Sequence, residues 1–420
     1  MLNTPHQQAV PTGVPPQDLA QDAGSVASTL HESSHKPFAL QGGNAQPHAE
    51  VVIGGDAGAP PGHKAGALSR HRVKRKVATV SPTADGEAIS VLALSAFNRL
   101  RVMRTVDLTA VCFPEREFKT SLKAAQDAMK RLKKRKHVKP YLTDRRQHIY
   151  GLTKKGADWL ADYGIQACSS VRRVSDMKNP VHRLWSNFIA VCCAARGLTA
   201  HNESEVLKKL AKQQVEGEGR GPELSAGLLA VEFVSGQKRV LRQLRPDVLA
   251  EEQDGATWFE VDWSTRCDER ARSQSELFAS VGARLANGQP LRRVVVFAGD
   301  QSILKQAATR ARRLVRPVSE LEYDASGSPA FRETAPGCFE VWKSVRVQLK
   351  DGRILNQSKL VGHVLLQLLP VWLPRVRLDA RNKYSTDGWL AENYLPYARP
   401  QGMAPWPALT SPLRVIRKSR

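Results

Sequence analysis

The chain has 420 residues, of which 63 are Lys or Arg and 40 are Asp or Glu, so its formal net charge is +23. Its length predicts about two or three domains, and no apolar run approaches the ~20 residues that a membrane span needs. The N-terminus lacks the basic start and apolar segment of a signal peptide, so we expect a cytoplasmic protein with no membrane partner. Because a strongly basic surface attracts phosphates, nucleic acid is the expected partner.

Residues 1–85 are rich in Gly, Pro, Ala, Ser, Gln and His and contain few aromatic residues. Such a segment cannot bury enough apolar area to offset the entropy of ordering, so it predicts a disordered tail. A basic cluster at residues 70–76 lies near its end. Two interpretations of this cluster stay open: a solvated linker end, or a basic arm that contacts DNA phosphates.

The segment 86–166 predicts three helices, a hairpin and a further helix. Apolar residues favour helices over Ile89–Leu100 and Val106–Val111. The clearest helix has its apolar stripe at Phe118, Leu122, Ala125, Met129 and Leu132. Strands are predicted at His137–Tyr141 and Gln147–Leu152, and Thr153 can N-cap a helix that ends at Gly164.

These elements predict a winged helix-turn-helix domain. A helix fits the major groove of DNA, and the basic tip of the following hairpin can contact phosphates beside it. The candidate DNA contacts lie on the third helix and at the hairpin tip: Lys119, Lys123, Lys130, Lys134, Arg145 and Arg146. Lysines bind phosphates as point charges, so we expect modest sequence specificity. The alternative is that the lysine-rich face is only solvated.

Residues 167–180 are predicted to be a linker, and residues 181–318 a second domain. The second domain starts with a helix around Leu184–Cys192. A β-meander, a helix, a strand and a last helix are then predicted at Leu228–Val234, Leu241–Ala250, Thr257–Trp263, Cys267–Leu285, Arg293–Ala298 and Gln301–Val315. Residues 319–420 form a C-terminal extension of unknown role, whose apolar stretch Val361–Leu373 is interpreted as a core segment.

Three carboxylates of the second domain are predicted to lie together. Glu260 and Asp262 are two positions apart on one strand, so they project from the same face. Pairing with the preceding strand can bring Asp247 beside them. Because three carboxylates repel one another unless they hold a cation, they are candidate catalytic residues and candidate ligands of Mg²⁺ or Mn²⁺, although no cofactor follows with certainty.

Arg245-Pro246-Asp247 followed by Glu260-Val261-Asp262-Trp263-Ser264-Thr265 resembles the PD-(D/E)XK nuclease superfamily. The same motifs directly after a winged helix resemble the replication-relaxation family. That resemblance implies an α/β (α+β) chain in which a restriction-endonuclease-like domain with a C-terminal extension follows the winged helix. It also implies a role in plasmid or mobile-element replication or mobilisation, with double-stranded DNA and relaxase or replication proteins as partners.

One position departs from the superfamily pattern. The lysine that usually orients the attacking water is replaced here by Asp262, which puts cleavage in doubt. Gln274 on the following helix is a candidate substitute. His182 could reach the site, although a lone histidine is more often a cap or a packed residue. Three functions therefore stay open: DNA binding without cleavage, metal-dependent deoxyribonuclease activity, and transcriptional regulation. The oligomeric state does not follow from the sequence.

Overall fold

The computed structural model describes residues 82–143, 147–175, 177, 180–216, 227–264, 267–323, 327–348, 352–370, 389–390 and 394–413. All of them belong to one compact unit, Arg75–Arg420. The predicted tail, apart from its last four residues, and the hairpin-tip residues Arg145 and Arg146 lie outside the described ranges. Among the described helices, none combines the length and apolar character that a membrane crossing requires.

The first region, residues 82–175, is mainly helical. Its elements are α1 (Pro82–Leu100), α2 (Thr105–Cys112), α3 (Phe118–Lys134), β1 (Val138–Leu142), β2 (His148–Leu152), α4 (Lys154–Ala161) and α5 (Val171–Ser175). The predicted cap of α4 is present, because the hydroxyl of Thr153 accepts a hydrogen bond from the Gly156 amide at 3.0 Å. The segment expected to be a linker contains α5, whose Val174 is buried.

The second region, residues 180–413, is built on a seven-stranded mixed sheet, so the chain is an α/β protein. Its elements are α6 (Val181–Ala195), β3 (Thr199–Asn202), α7 (Glu203–Glu216), β4 (Leu229–Ser235), β5 (Lys238–Leu244), β6 (Val248–Glu252), β7 (Gly255–Asp262), α8 (Asp268–Ala279), β8 (Leu291–Ala298), α9 (Gln301–Arg312), a 3₁₀ helix (Val318–Glu322), β9 (Ala330–Ala335), β10 (Cys338–Gln348) and β11 (Ile354–Leu368). The strand order is β3-β6-β7-β8-β11-β10-β9, in which β7, β8 and β11 are parallel.

The predicted β-meander is wrong in its connections. Residues Leu241–Ala250 do not form one strand, because the chain leaves β5 at Leu244 and re-enters the large sheet at Val248. Pro246 lies in this break and has no amide hydrogen to donate to a ladder. Strands β4 and β5 pair only with each other among the described strands and form a separate hairpin.

The C-terminal extension, residues 319–420, supplies the last three strands of the large sheet. Strand β11 pairs in parallel with β8 on one side and antiparallel with β10 on the other, so it lies inside the sheet. Residues Val361–Leu366 of this strand are buried, in agreement with the predicted core segment. The sheet therefore continues across the predicted boundary at residue 318.

The two regions share a core. One hydrophobic cluster joins the helices of the first region to α6 and to one face of the large sheet, and a second cluster covers the other face with α8 and α9. The Asn187 amide on α6 donates hydrogen bonds to the carbonyl oxygens of Leu100 and Val102, at 3.2 and 2.9 Å. The buried Arg104 guanidinium bridges to the Asp107 carboxylate at 2.7 Å and to the Leu184 carbonyl at 3.3 Å. These polar contacts fix the first region against α6.

Candidate functional site

The exposed face of α3 carries a row of lysines. Phe118, Ala125, Met129 and Leu132 are buried against the rest of the first region, which leaves the opposite helix face in solvent. The exposed residues Lys119, Lys123, Lys130 and Lys134 occupy that face. At ~100° per residue they lie within an arc of about 60°, and at 1.5 Å per residue they extend over about 22 Å of helix.

Most of this charge is unneutralised. Lys123 lies 3.6 Å from the carboxylate of Asp127 on the same helix, and both side chains are largely exposed. Lys119, Lys130 and Lys134 form no ion pair within the described part of the chain. A surface pair such as Lys123–Asp127 is worth only about 0.3–0.5 kcal/mol, so it does little to remove the charge from the row.

The hairpin after α3 is described except at its tip. Strands β1 and β2 pair antiparallel from Val138–Leu152 to Leu142–His148. Because Arg145 and Arg146 lie outside the described residues, their contribution stays a prediction. Lys139 on β1 is an exposed cation that the sequence interpretation missed, and its ammonium group lies 5.5 Å from the ring centre of Tyr141. The strand alternation of the hairpin could have indicated it.

A second charged site lies at the carboxyl end of β7. Register pairs Val248 with Phe259, which brings the preceding residue Asp247 next to Glu260. The carboxylates of Asp247, Glu260 and Asp262 line one open cleft of about 730 Å³. We refer to this feature as the acidic cleft. Adjacent strand ends on one sheet thus bring together the three carboxylates that the sequence singled out.

Each of these carboxylates already has a protein donor. Asp247 accepts a hydrogen bond from the Val261 amide at 2.7 Å, and its carboxylate lies 3.1 Å from Nε2 of His182. This hydrogen bond to Asp247, together with the neighbouring carboxylates, raises the pKa of His182 above its ordinary value despite partial burial. Glu260 accepts from the indole of Trp258 at 2.8 Å. His182, open in the sequence interpretation, is therefore part of the cleft.

Gln274 contacts Asp262, the third carboxylate of the acidic cleft. Its side-chain amide donates to Asp262 at 2.9 Å, and its carbonyl oxygen accepts from Arg310 on α9, also at 2.9 Å. Arg310 was missed by the sequence interpretation because the contact joins two helices with no local sequence signal. The chain of contacts holds Asp262 by a neutral amide whose orientation is set by a guanidinium group.

In this structure, protein donors contact the carboxylates of the acidic cleft. No group of three His, Cys, Asp or Glu side chains in the described residues has an arrangement that could hold an ion. Asp247, Glu260 and Asp262 each direct at least one oxygen to a protein donor instead. Oxygens engaged in this way would have to be released before they could coordinate Mg²⁺ or Mn²⁺. The metal-ligand role of the three residues stays a prediction.

Three arginines also line the acidic cleft, and sequence interpretation had not selected them. They are Arg242, Arg245 and Arg270. Arg242 pairs with Glu269 at 3.0 Å, and Arg245 lies 3.7 Å from Glu203. Arg242 and Arg245 belong to a run of basic residues in and just after β5. This run is the sequence signal from which the two arginines could have been predicted to line the cleft. The cleft therefore mixes both signs of charge, in contrast to the α3 face.

No family model, curated protein or solved structure matches this chain. The resemblance to the replication-relaxation family therefore stays a prediction from the sequence motifs.

Proposed function

We propose that the chain is a DNA-binding protein of the replication-relaxation type, which acts in plasmid or mobile-element replication or mobilisation. The first region would bind duplex DNA as a winged helix, with α3 in the major groove and the β1–β2 hairpin beside it. The observation that carries this proposal is the row of exposed lysines on α3. Four cations within one narrow arc match a phosphate backbone, and three of them have no carboxylate partner in the described residues.

The second region would add contacts and recruit partners. The motif order Pro-Asp, Glu-x-Asp supports a nuclease-like domain, and relaxase or replication proteins are the partners that the resemblance implies. The acidic cleft would contact DNA through its arginine rim without cutting it. Two observations support binding without cleavage: Asp262 stands where a lysine is expected, and the carboxylates are engaged by His182, Trp258 and Gln274.

The test is the salt dependence of duplex binding, measured by fluorescence anisotropy on the full chain. The four lysines of α3 alone contribute about −3.6 to the slope of log K against log salt, which is a loss of about 150-fold in affinity between about 50 and 200 mM salt. The variant Lys119→Glu/Lys130→Glu should bind weakly with a shallower slope. Lys119→Arg/Lys130→Arg keeps both charges and should bind like the wild type.

Lys208→Glu/Lys305→Glu changes two exposed lysines, on α7 and α9, and controls for a change in net charge of the same size. Binding by Lys119→Glu/Lys130→Glu at wild-type strength would show that α3 is not the interface. An equal loss of affinity in Lys208→Glu/Lys305→Glu would show that the effect comes from net charge and not from the α3 face. Either result contradicts the proposal.

A metal-dependent deoxyribonuclease is the second candidate, favoured by the presence of Asp247, Glu260 and Asp262 in one cleft. Supercoiled plasmid should be incubated with the wild type in Mg²⁺ or Mn²⁺, beside Asp247→Ala and Glu260→Ala. We expect the plasmid to stay intact in every case. Cutting by the wild type that disappears in both variants would establish the nuclease instead.

A further inference from the structure

Strands β10 and β11 continue beyond the large sheet as a two-stranded ribbon. Strand β9 pairs with β10 only as far as Trp342, and β8 pairs with β11 only from His363 onward. Beyond these limits, six further pairs run from Lys343–Lys359 to Gln348–Ile354. In this stretch β10 and β11 pair with no other described strand. At about 3.4 Å per residue this extension, which we call the ribbon, is about 20 Å long.

The 3₁₀ helix contacts one face of the ribbon. The hydroxyl of Ser358 donates to the Val318 carbonyl at 3.2 Å, and the Asn356 amide donates to the Glu322 carbonyl at 3.4 Å. Both acceptors belong to the 3₁₀ helix, which therefore packs on this face. Residues directly opposite each other share a face, so the second face carries Lys343, Val345, Val347, Leu355, Gln357 and Lys359. Its β11 residues are exposed, whereas its β10 residues are half-buried.

The charge of the second face is unbalanced. Lys343 and Lys359 are directly opposite, and like charges at such positions destabilise a strand pair. Neither ammonium group forms an ion pair within the described residues. Burial lowers the pKa of Lys343, which adds to the cost of keeping it charged. An anionic partner would remove both penalties.

The apolar residues lie farther along the same face. Leu355 is 52% exposed and lies opposite Val347, so an aliphatic pair follows the two lysines toward the end of the ribbon. Ribbons that contact DNA combine cations for the phosphates with aliphatic side chains that press against a groove. A second copy of this chain fits less well, because joining two such faces would bring four lysines together.

We propose that the second face of the ribbon is a second duplex-DNA contact, with Lys343 and Lys359 on phosphates and Leu355 against the groove. The inference extends the proposed function, because it assigns DNA as the partner of a surface outside α3 and the acidic cleft. The ribbon leaves the sheet at the amino end of β8, whereas the cleft lies at the carboxyl end of β7. The two parallel strands place these surfaces at opposite ends of the sheet.

The experiment measures affinity and salt slope on a fluorescent duplex of about 40 base pairs, which is about 136 Å long at 3.4 Å per base pair. Lys343→Gln/Lys359→Gln should make the slope shallower by about 1.8, because two phosphate contacts are lost. Lys343→Arg/Lys359→Arg should restore the wild-type slope. Leu355→Asn should weaken binding with little change in slope, since it removes an apolar contact and no charge.

Three outcomes would overturn the ribbon proposal. An unchanged slope in Lys343→Gln/Lys359→Gln, beside a reduced slope in Lys119→Glu/Lys130→Glu, rejects the ribbon and keeps the winged-helix proposal. Absence of duplex binding by the wild type rejects both. A change of oligomeric state in Leu355→Asn, measured by analytical ultracentrifugation without DNA, assigns the face to a second copy. Thermal unfolding at the wild-type temperature confirms that each variant is folded.

Discussion

The α3 face and the acidic cleft are both rich in charge, but most charges of the α3 face are unpaired and most of those in the cleft are paired. The α3 face presents lysines in one arc with a single carboxylate partner, Asp127. In the cleft, Arg242 and Arg245 pair with Glu269 and Glu203, and the central carboxylates take donors from His182, Trp258 and Gln274. Net cationic charge attracts a polyanion, whereas paired charges mainly fix geometry.

This difference implies that the two surfaces contribute unequally to the affinity for duplex DNA. Counterion release depends on cations that reach phosphates, so a row of free lysines supplies sequence-independent affinity. Charges that are already paired must give up a partner before they can bind a phosphate, and their net gain is smaller. We therefore expect α3 to dominate duplex affinity and the cleft to contribute little to it. Three experiments test this contrast and the rigid connection between the regions.

The largest effect is expected from the polar contact that connects the two regions. Arg104→Met leaves Asp107 buried without its cation, and both side chains are at most 5% exposed. Removing one partner of a buried pair costs about 3–5 kcal/mol of unfolding free energy. Chemical denaturation followed by tryptophan fluorescence and far-ultraviolet circular dichroism should show this loss in one shared transition.

The double variant Arg104→Met/Asp107→Leu is the matched control. Apolar residues replace both charges there, so most of the lost stability should return. Two separate transitions, with Arg104→Met affecting only one, would show that the regions unfold independently. The α3 face would then not be held rigidly relative to the cleft.

A smaller effect should distinguish the two charged surfaces directly. Lys119→Gln/Lys134→Gln removes two unpaired cations, so the salt slope of duplex binding should become shallower by about 1.8. Arg242→Gln/Arg245→Gln removes two paired cations and should change the slope by about half of that or less. Equal changes in both variants, measured by anisotropy on one duplex, would mean that pairing in the cleft does not limit phosphate binding.

The smallest effect concerns the one carboxylate beside the lysine row. Asp127→Asn releases Lys123 from its i,i+4 pair and removes a negative charge beside the proposed DNA-binding face. A pair of about 0.3–0.5 kcal/mol predicts about a twofold gain in duplex affinity. Asp158→Asn, on the exposed surface of α4, controls for the loss of a carboxylate elsewhere. Weaker binding by Asp127→Asn would show that Asp127 orients Lys123 for DNA.

Local structure in the first region followed well from the sequence. The stripe of α3, the Thr153 cap and the strands of the hairpin were predicted to within one or two residues. The contacts within each of these elements are short in sequence, so periodicity and capping chemistry suffice to predict them. The shared face of Glu260 and Asp262 followed from strand alternation for the same reason.

Long-range pairing was the part that sequence patterns missed. Apolar runs predicted one strand of a β-meander at Leu241–Ala250, which the structure divides between two sheets. They also predicted a core segment at Val361–Leu373, without indicating which sheet it would join. Strand β11 lies beside β8, and Arg310 reaches Gln274 across two helices, only after the chain has closed large loops. Such contacts depend on which surfaces meet, and neither hydrophobic period nor turn chemistry encodes that choice.

By itself, then, the amino-acid order determined the net positive charge, the amphipathic α3 with its lysine face, and the alternation that directs Glu260 and Asp262 to one side. Tertiary structure decided which charges have partners: His182 contacts Asp247, Gln274 donates to Asp262 and is itself held by Arg310, and three of the four α3 lysines have no carboxylate partner in the described residues. The physical reason is distance, because Coulomb interactions and hydrogen bonds act between groups that folding brings within a few ångströms.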